Sequence, residues 1–270
     1  MNSLKNHIKN LQWKSWMRRG KSGLDRQNPF ADKIYQAIDD TIEKRFDDEE
    51  LKLFDSIEKI RQQFHGNPTP ISVVDFGAGG PKDTRSQEEM LSGVSFSSTY
   101  GNVCEGSKPQ LWAILLAKLI RYFQPETGIE LGTCIGISAA YEAGEMELNG
   151  RGKLYTLEGS SAIADLAKKN LRSLNLSTVS VITGRFCDTL PRILKGNTVI
   201  NYVFIDGHHD EEATWNYYQS LLPFLSSGAL LVFDDISWSR GMKRVWKKIK
   251  SDNNISLSVD LKMIGICIVK

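Results

Sequence analysis

The chain has 270 residues, of which 41% are hydrophobic and 24% are charged, as in an ordinary soluble globular protein. A formal net charge of +2 gives no general basis for binding nucleic acid, and no apolar run approaches the roughly 18 residues of a membrane span. The four cysteines are scattered without C-x-x-C spacing, and no apolar segment follows the basic start. We therefore expect reduced thiols and a cytoplasmic protein without a signal peptide.

Residues 1–105 are predicted to form a helical N-terminal extension with an accessory glycine loop. The first 21 residues are basic, and Leu4, Ile8, Leu11 and Trp16 suggest an apolar stripe that packs on the domain, with an interfacial membrane helix as the alternative. Residues 31–64 repeat apolar side chains at helical spacing, and the acidic run 47–50 within them is interpreted as a solvated face.

Residues 71–80 indicate a strand followed by a glycine turn. The segment after it is polar and lacks helical periodicity until Pro109, so no crossover helix returns the chain to a parallel sheet. We interpret the loop at 75–80 as an accessory loop that covers the site, with a purely structural turn as the alternative.

The C-terminal region, residues 106–270, is predicted to be a ligand-binding α/β domain. An apolar helix at 111–123 is followed by regular alternation of strands and helices. Strands are predicted at 128–132, 153–158, 178–183, 199–206, 228–234, 255–260 and 263–269, with helices at 137–148, 161–174, 188–195, 211–224 and 239–251. The pattern predicts a doubly wound, mostly parallel seven-stranded sheet that ends in an antiparallel hairpin.

The most informative segment is 127–138, where a buried strand, a glutamate, a glycine turn and a helix start follow one another. Gly132 and Gly136 allow the backbone to turn tightly and to approach a ligand. Thr133 lies inside the turn, and Glu130 ends the strand as a hydrogen-bond acceptor. The spacing is G-x-x-x-G and not the G-x-G-x-x-G of dinucleotide folds.

Further polar side chains follow the other predicted strands, and ligands bind at the carboxyl ends of such strands. They are Glu158 and Gly159, Phe186 and Cys187, Asp206 with His208 and His209, and the pair Asp234 and Asp235. Acids at the ends of adjacent strands repel one another unless a cation or a proton lies between them. The aspartates form an oxygen-ligand set suited to Mg²⁺, and the histidines add a base near neutral pH.

These residues resemble class I S-adenosylmethionine (SAM)-dependent methyltransferases. The motif E-L-G-x-x-x-G-x-S, the acid after the second strand, the D-G-x-H turn and the Asp-Asp pair carry the resemblance over roughly 105–270. The similarity is greatest to the O-methyltransferase branch with catechol and macrolide- or aminocoumarin-sugar O-methyltransferases. An upstream D-x-G-A-G loop and a W-S-x-G-M segment, as at 238–242, also resemble a group of uncharacterised bacterial methyltransferases.

The resemblance implies cofactor roles for residues at the strand ends. Glu130, with Gly132, Thr133 and Gly136 of the turn, would hold the methionine part of SAM. The ribose would be held by Glu158, which Gly159 follows, and Phe186 and Cys187 would contact the adenine, with Asp206 also at the cofactor. Dimers are common among the similar proteins, so the resemblance also implies a homodimer.

The resemblance further implies a divalent cation, Mg²⁺, bound by Asp206, Asp234 and Asp235, which would lower the pKa of an attacking hydroxyl. Two departures put the catalytic base in question. The catechol type has a lysine where this chain has His209, and the sugar-modifying type has an acid where it has His208. Asp235 also replaces an asparagine of the catechol type. Asp206, His208 and His209 are the predicted catalytic residues.

The predicted function is methyl transfer from SAM to a small-molecule acceptor, with a hydroxyl oxygen favoured over nitrogen. An NAD(P)-dependent oxidoreductase is an alternative, but the chain has neither G-x-G-x-x-G nor a Tyr-x-x-x-Lys pair. A non-catalytic cofactor-binding scaffold would not need the strand-end acids. A nucleic-acid methyltransferase would use the basic N-terminus with Trp13 and Trp16, yet no segment typical of base-modifying enzymes is present.

Overall fold

The computed structural model describes residues 2–80, 85–196 and 199–270. The N-terminal part consists of five helices and two strands among the described residues. Its elements are α1 (Asn2–Ser22), α2 (Ala31–Glu43), α3 (Asp48–Phe64), β1 (Pro70–Asp75), α4 (Gln87–Ser92), β2 (Val94–Thr99) and α5 (Tyr100–Glu105). No helix among the described residues is long and apolar enough to cross a membrane.

The C-terminal part alternates helices and strands. Its elements are α6 (Gln110–Phe123), β3 (Thr127–Leu131), α7 (Ile137–Leu148), β4 (Lys153–Glu158), α8 (Ser161–Ser173), β5 (Val179–Thr183), α9 (Phe186–Leu194), β6 (Ile200–Ile205), α10 (Glu211–Leu221), β7 (Leu225–Phe233), α11 (Arg240–Lys250), β8 (Ile255–Asp260) and β9 (Gly265–Val269). A 3₁₀ turn at Leu222–Phe224 joins α10 to β7.

The main sheet has seven strands in the order β5-β4-β3-β6-β7-β9-β8. Strands β5, β4, β3, β6 and β7 pair in parallel, and β9 pairs antiparallel with both β7 and β8. This confirms the predicted mostly parallel sheet with a terminal antiparallel hairpin. The last strand inserts between β7 and β8, and the chain order reverses between β3 and β6, so the central cleft lies where ligands bind in such sheets.

Hydrophobic cores cover both faces of the sheet, which is why its central strands are continuous runs of Val, Ile, Leu and Phe. On one face α6 and α7 pack together with the N-terminal helices α1, α2 and α3. On the other face α9, α10 and α11 form a second core. The N-terminal helices thus share a core with the sheet, and the division of the chain at 105/106 stays a prediction.

The N-terminal part refines one expectation and departs from two others in part. The stretch 31–64 is two helices, because Lys44 adopts the left-handed conformation (φ 54°) and Asp47 caps α3 in a capping box with Glu50. The acidic run is only partly solvated, because Glu50 is 2% exposed and pairs with Lys118. In α1, Trp16 packs on the core as expected, together with Trp13 and the buried Met17, whereas Ile8 and Leu11 are more than half exposed; the side chain of Leu4 lies outside the described part.

The segment 70–105 forms a small separate layer. β1 and β2 pair antiparallel in a two-stranded sheet of their own, so the expected absence of a crossover into the main sheet holds for this strand. The segment predicted to lack helices nevertheless contains α4 and α5, whose six residues each are too few to show apolar periodicity. Residues 81–84 of this segment lie outside the described part of the chain.

Candidate active site

A cavity of about 590 Å³ opens at the carboxyl ends of the central strands, a size suited to a small-molecule ligand. The predicted site residues that line it come from four separate places in the sequence. They are Gly132, Thr133, Glu158, Gly159, Phe186, Cys187, Asp206, His208 and His209. The lining does not include Glu130, Gly136, Asp234 or Asp235, which lie beside or beneath the cavity.

The glycine turn after β3 is pressed against the end of β6. Gly132 has φ 109°, and a Cβ at this position would collide with the carbonyl oxygen of Asp206. The Asp206 amide in turn donates to the carbonyl of Leu131 at 2.8 Å. Gly136 has φ 86° and begins α7, whose free amide groups point back into the turn. A side chain at Gly132 would therefore separate the two strand ends that form the floor of the cavity.

Glu158 ties the end of β4 to the glycine turn. One carboxylate oxygen accepts from the Cys134 amide and the other from the Ser160 amide, both at 2.9 Å. Burial raises the pKa of Glu158 to about 7, although both amide groups favour its charged form. The side chain lines the cavity with lone pairs left to accept further hydrogen bonds. It is thus a fixed acceptor aimed at a ligand.

Glu130 is fully buried beneath the cavity and not on its wall. The Thr156 hydroxyl donates to its carboxylate, and the hydroxyls of Thr133 and Thr156 are 2.6 Å apart. Burial raises the pKa of Glu130 to about 7. The hydrogen bonds from Glu130 through Thr156 to Thr133 link this acid to the glycine turn, and Ser138, which lines the cavity, also hydrogen-bonds Glu130.

Phe186 and the accessory loop enclose the cavity from the side and from above. The Phe186 ring packs against Gly207 and lies 5.8 Å from the ring of Tyr217. In the loop at 75–80, the Ala78 amide donates to the His208 carbonyl at 2.8 Å, and Phe76 packs against Gly159. The loop therefore lines the cavity, and its role as a cover of the site stays a prediction.

The two histidines lie in a strained turn between β6 and α10, with φ 69° at His208 and 48° at His209. Nδ1 of His208 is 2.7 Å from the Tyr217 hydroxyl. His209 lies between two acids, 3.8 Å from Asp206 and 3.9 Å from Asp235. Burial lowers the pKa of both histidines, so each imidazole is neutral near pH 7 and able to accept a proton.

Lys108 lies between two of the predicted metal ligands. Its Nζ is 2.9 Å from Oδ2 of Asp206 and in direct contact with Oδ2 of Asp234, and its side chain is 6% exposed. Burial acts to lower the pKa of Lys108, but the two carboxylates outweigh it and raise that pKa above its ordinary value. Burial alone would raise the pKa of Asp234, but the adjacent Lys108 ammonium holds that pKa below its ordinary value.

The predicted magnesium site does not fit a divalent cation while Lys108 holds this position. Ligand atoms of Asp206, His209 and Asp234 do lie within 4.8 Å of one another, with Asp235 outside that group. A cation bound to the same carboxylates would lie within a few ångström of the ammonium. Unit charges 4 Å apart repel by about 4 kcal/mol at the effective dielectric of a protein, and a divalent ion doubles that.

The sequence interpretation missed Lys108 and the residue that places it. The Lys108 carbonyl accepts from Nη2 of Arg61 at 2.8 Å, and Arg61 is itself paired with Glu58 on α3. The available signal was a lone lysine at the start of the apolar helix α6, directly before Pro109. Helix-start lysines are common on surfaces, so only the packing of α3 against the site reveals its role.

Comparison with known proteins agrees with this geometry. The sequence model of a family described as "Methyltransferase domain" matches residues 129–236. No curated protein matched the chain. The solved structure of an O-methyltransferase from Bacillus cereus in complex with SAH (S-adenosylhomocysteine) is similar with a TM-score of 0.54 and 22% identity, covering 63% of this chain and 85% of that one.

Two further solved structures have the same fold. The O-methyltransferase TomG from Streptomyces achromogenes, involved in tomaymycin synthesis and in complex with SAM, has a TM-score of 0.52 and 20% identity over 61% of this chain and 82% of that one. The SAH-bound Podospora anserina methyltransferase PaMTH1 has a TM-score of 0.54 and 14% identity over 62% and 81%.

Residues 129–236 thus match a methyltransferase domain, and the chain has the Rossmann-like fold of the solved methyltransferases. The match to a methyltransferase domain disfavours the alternative of an NAD(P)-dependent oxidoreductase.

Proposed function

We propose that the protein transfers the methyl group of SAM to a hydroxyl oxygen of a small-molecule acceptor. The observation that carries this proposal is the single cavity that joins Glu158 and the glycine turn to Asp206 and His209. One end of this cavity offers a fixed acid beside a glycine turn. The other end offers neutral bases and a buried ammonium group.

The cofactor end suits the ribose and adenine of SAM. Glu158, held by two backbone amides, would accept hydrogen bonds from the ribose hydroxyls. Gly132 and Thr133 would face the amino-acid part, with Glu130 acting through the Thr156 and Thr133 hydroxyls. Phe186 and Cys187 would flank the adenine. SAM supplies an electrophilic methyl group on a sulfonium sulfur.

The acceptor end supplies the base. In the transfer an O–CH₃ bond forms as the S–CH₃ bond breaks, the electron pair of that bond stays on sulfur, and the hydroxyl proton leaves to a base. His209 is favoured as that base because it lies between Asp206 and Asp235, which would stabilise the imidazolium formed. His208 also lines the cavity, and its Nδ1 contact with Tyr217 leaves Nε2 as an alternative acceptor.

Binding of SAH measured by calorimetry tests the cofactor end. We expect the unaltered protein to bind SAH and Glu158→Ala to bind it about 100-fold more weakly, because the fixed acceptor is lost. Glu212→Ala is the matched control, since Glu212 is an exposed carboxylate on α10 that also lines the cavity. The SAH affinity of Glu212→Ala should stay within about threefold of that of the unaltered protein. Equal losses in both variants would contradict the assignment of Glu158 to the ribose.

Transfer of a labelled methyl group from SAM to a panel of phenols, sugars and amines tests the acceptor end. We expect a product with the label on oxygen, identified by mass spectrometry. A product methylated on nitrogen would overturn the choice of a hydroxyl acceptor. Binding of SAH without any turnover on the panel would instead favour a non-catalytic cofactor-binding protein.

A further inference from the structure

Among the described residues, Lys108 is the one lysine or arginine that forms an ion pair with Asp206 and Asp234. It contacts Asp206 and Asp234 at the same time, and both carboxylates are at most 14% exposed. Lys108 also lines the cavity, on the side of Asp206 and His209. An ammonium has three N–H donors, and these two carboxylates take two of them. The third is left for an oxygen in the cavity.

The position of Lys108 is built by the rest of the fold and is not a chance rotamer of a surface lysine. Arg61 on α3 holds its carbonyl at 2.8 Å, and the preceding Ser107 lies 3.6 Å from the sulfur of Cys134 in the glycine turn. Its ammonium also lies 5.6 Å from the centre of the Phe204 ring. The segment is thus fixed by a helix from the N-terminal part, by the cofactor turn and by β6.

We propose, on the basis of the proposed function, that Lys108 replaces the divalent cation in this methyltransferase. Its ammonium closes the donor set of Asp206, His209 and Asp234 to metal and presents a positive charge to the acceptor oxygen. A divalent cation can hold two neighbouring oxygens of a substrate, whereas one N–H donor holds one. The acceptor site therefore needs a single hydroxyl and not a vicinal pair, and the transfer does not depend on added metal.

Binding of Mn²⁺ to the chelator-treated protein tests this assignment without using activity. We expect the unaltered protein to bind Mn²⁺ only weakly, and Lys108→Ala to bind it at least tenfold more tightly, because two carboxylates and an imidazole are freed. Paramagnetic resonance or calorimetry measures both affinities. Adding Asp234→Asn to Lys108→Ala should remove the gain and so locate the ion.

Two control variants separate the loss of this ammonium from other effects. Lys118→Ala removes a buried lysine of α6 that pairs with Glu50, away from Asp206 and Asp234, and it should gain no Mn²⁺ affinity. Lys108→Arg keeps a cation in place and should also gain none. If Lys108→Ala loses its fold, as judged by circular dichroism, Lys108→Gln, which is neutral and nearly as long, takes its place with the same expected gain.

The result that overturns the proposal is tight Mn²⁺ binding by the unaltered protein, or no gain in a folded Lys108 variant. SAH binding to the unaltered protein is measured alongside. Failure to bind SAH would reject the proposed function, while the comparison of Mn²⁺ affinities would still decide the role of Lys108. In the labelled-methyl assay, a rate lowered by chelator and restored by Mg²⁺ would likewise overturn the proposal.

Discussion

The cofactor half and the acceptor half of the cavity are built in different ways. The cofactor half comes from successive strand ends, at Gly132, Glu158 and Phe186, each next to its own motif in the sequence. The acceptor half combines Asp206 and His209 with Lys108, which a helix some fifty residues earlier holds in place through Arg61. One half is local in the sequence and the other is assembled from distant segments.

The two halves also differ in how they treat buried charge. In the cofactor half, burial raises the pKa of both Glu130 and Glu158 to about 7, since no ammonium contacts either carboxylate among the described residues. In the acceptor half, the charge of Lys108 outweighs burial at Asp234 and lowers its pKa, whereas burial still raises the pKa of Asp206 and of Asp235. The cofactor half, where no ammonium contacts these described carboxylates, is suited to a positively charged ligand such as SAM. The acceptor half already contains the ammonium of Lys108.

The largest expected effect is at the floor shared by both halves. Gly132→Ala would force a Cβ against the Asp206 carbonyl at a positive φ, so we expect about 3 kcal/mol or more of lost stability and about 100-fold weaker SAH binding. Urea unfolding and calorimetry measure the two effects. Gly150→Ala is the control, because Gly150 has φ 65° with open space around it. It should cost about 1 kcal/mol and leave SAH affinity unchanged.

A smaller effect concerns the unpaired acid beneath the cofactor half. The pKa of Glu130 is about 7 in the folded protein against an ordinary 4.5, so the folded state binds more protons between these values and this stabilisation is lost as pH rises. Relative to the unaltered protein, Glu130→Gln should therefore be more stable at pH 8 than at pH 5 by about 1–3 kcal/mol. Urea unfolding of the cofactor-free protein at both pH values measures the difference.

The control for this pH dependence is Glu126→Gln, which changes a largely exposed carboxylate paired with Arg151 at the other end of the sheet. Its stability relative to the unaltered protein should differ between the two pH values by less than about 0.5 kcal/mol. An unchanged pH dependence in Glu130→Gln would show that the folded protein does not hold this carboxylate in its protonated form.

The smallest effect concerns the support of the acceptor half. Arg61→Ala removes the hydrogen bond to the Lys108 carbonyl and the pair with Glu58, so we expect a loss of about 1–2 kcal/mol with SAH affinity unchanged. Arg244→Ala, which removes an exposed pair with Glu211, should leave the stability nearly unchanged. A loss of SAH affinity in Arg61→Ala would show that the two halves are not independent.

Much of the C-terminal part could be predicted from the sequence because its signals are local. The helix predicted at 137–148 is observed at Ile137–Leu148, and the predicted strands agree with the observed ones to within a few residues. Alternating apolar runs and glycine turns report directly on strands that are buried on both faces. The N-terminal part gave weaker predictions, because the break at Lys44 and the exposure of Ile8 and Leu11 depend on what packs nearby.

The sequence by itself determined the class of fold and indicated the residues of the proposed cofactor half, because a strand, an acid and a glycine turn that are consecutive in the chain remain neighbours in space. Only the tertiary structure decided the acceptor half. Glu130 shows that even a local motif does not fix where each side chain points. Its side chain belongs to the glycine-turn motif, yet it is fully buried and does not line the cavity. Lys108 shows that the sequence also does not reveal contacts between distant segments. An ion pair between residues about a hundred positions apart is set by the packing of α3 and α6 on the sheet, and no local pattern encodes it.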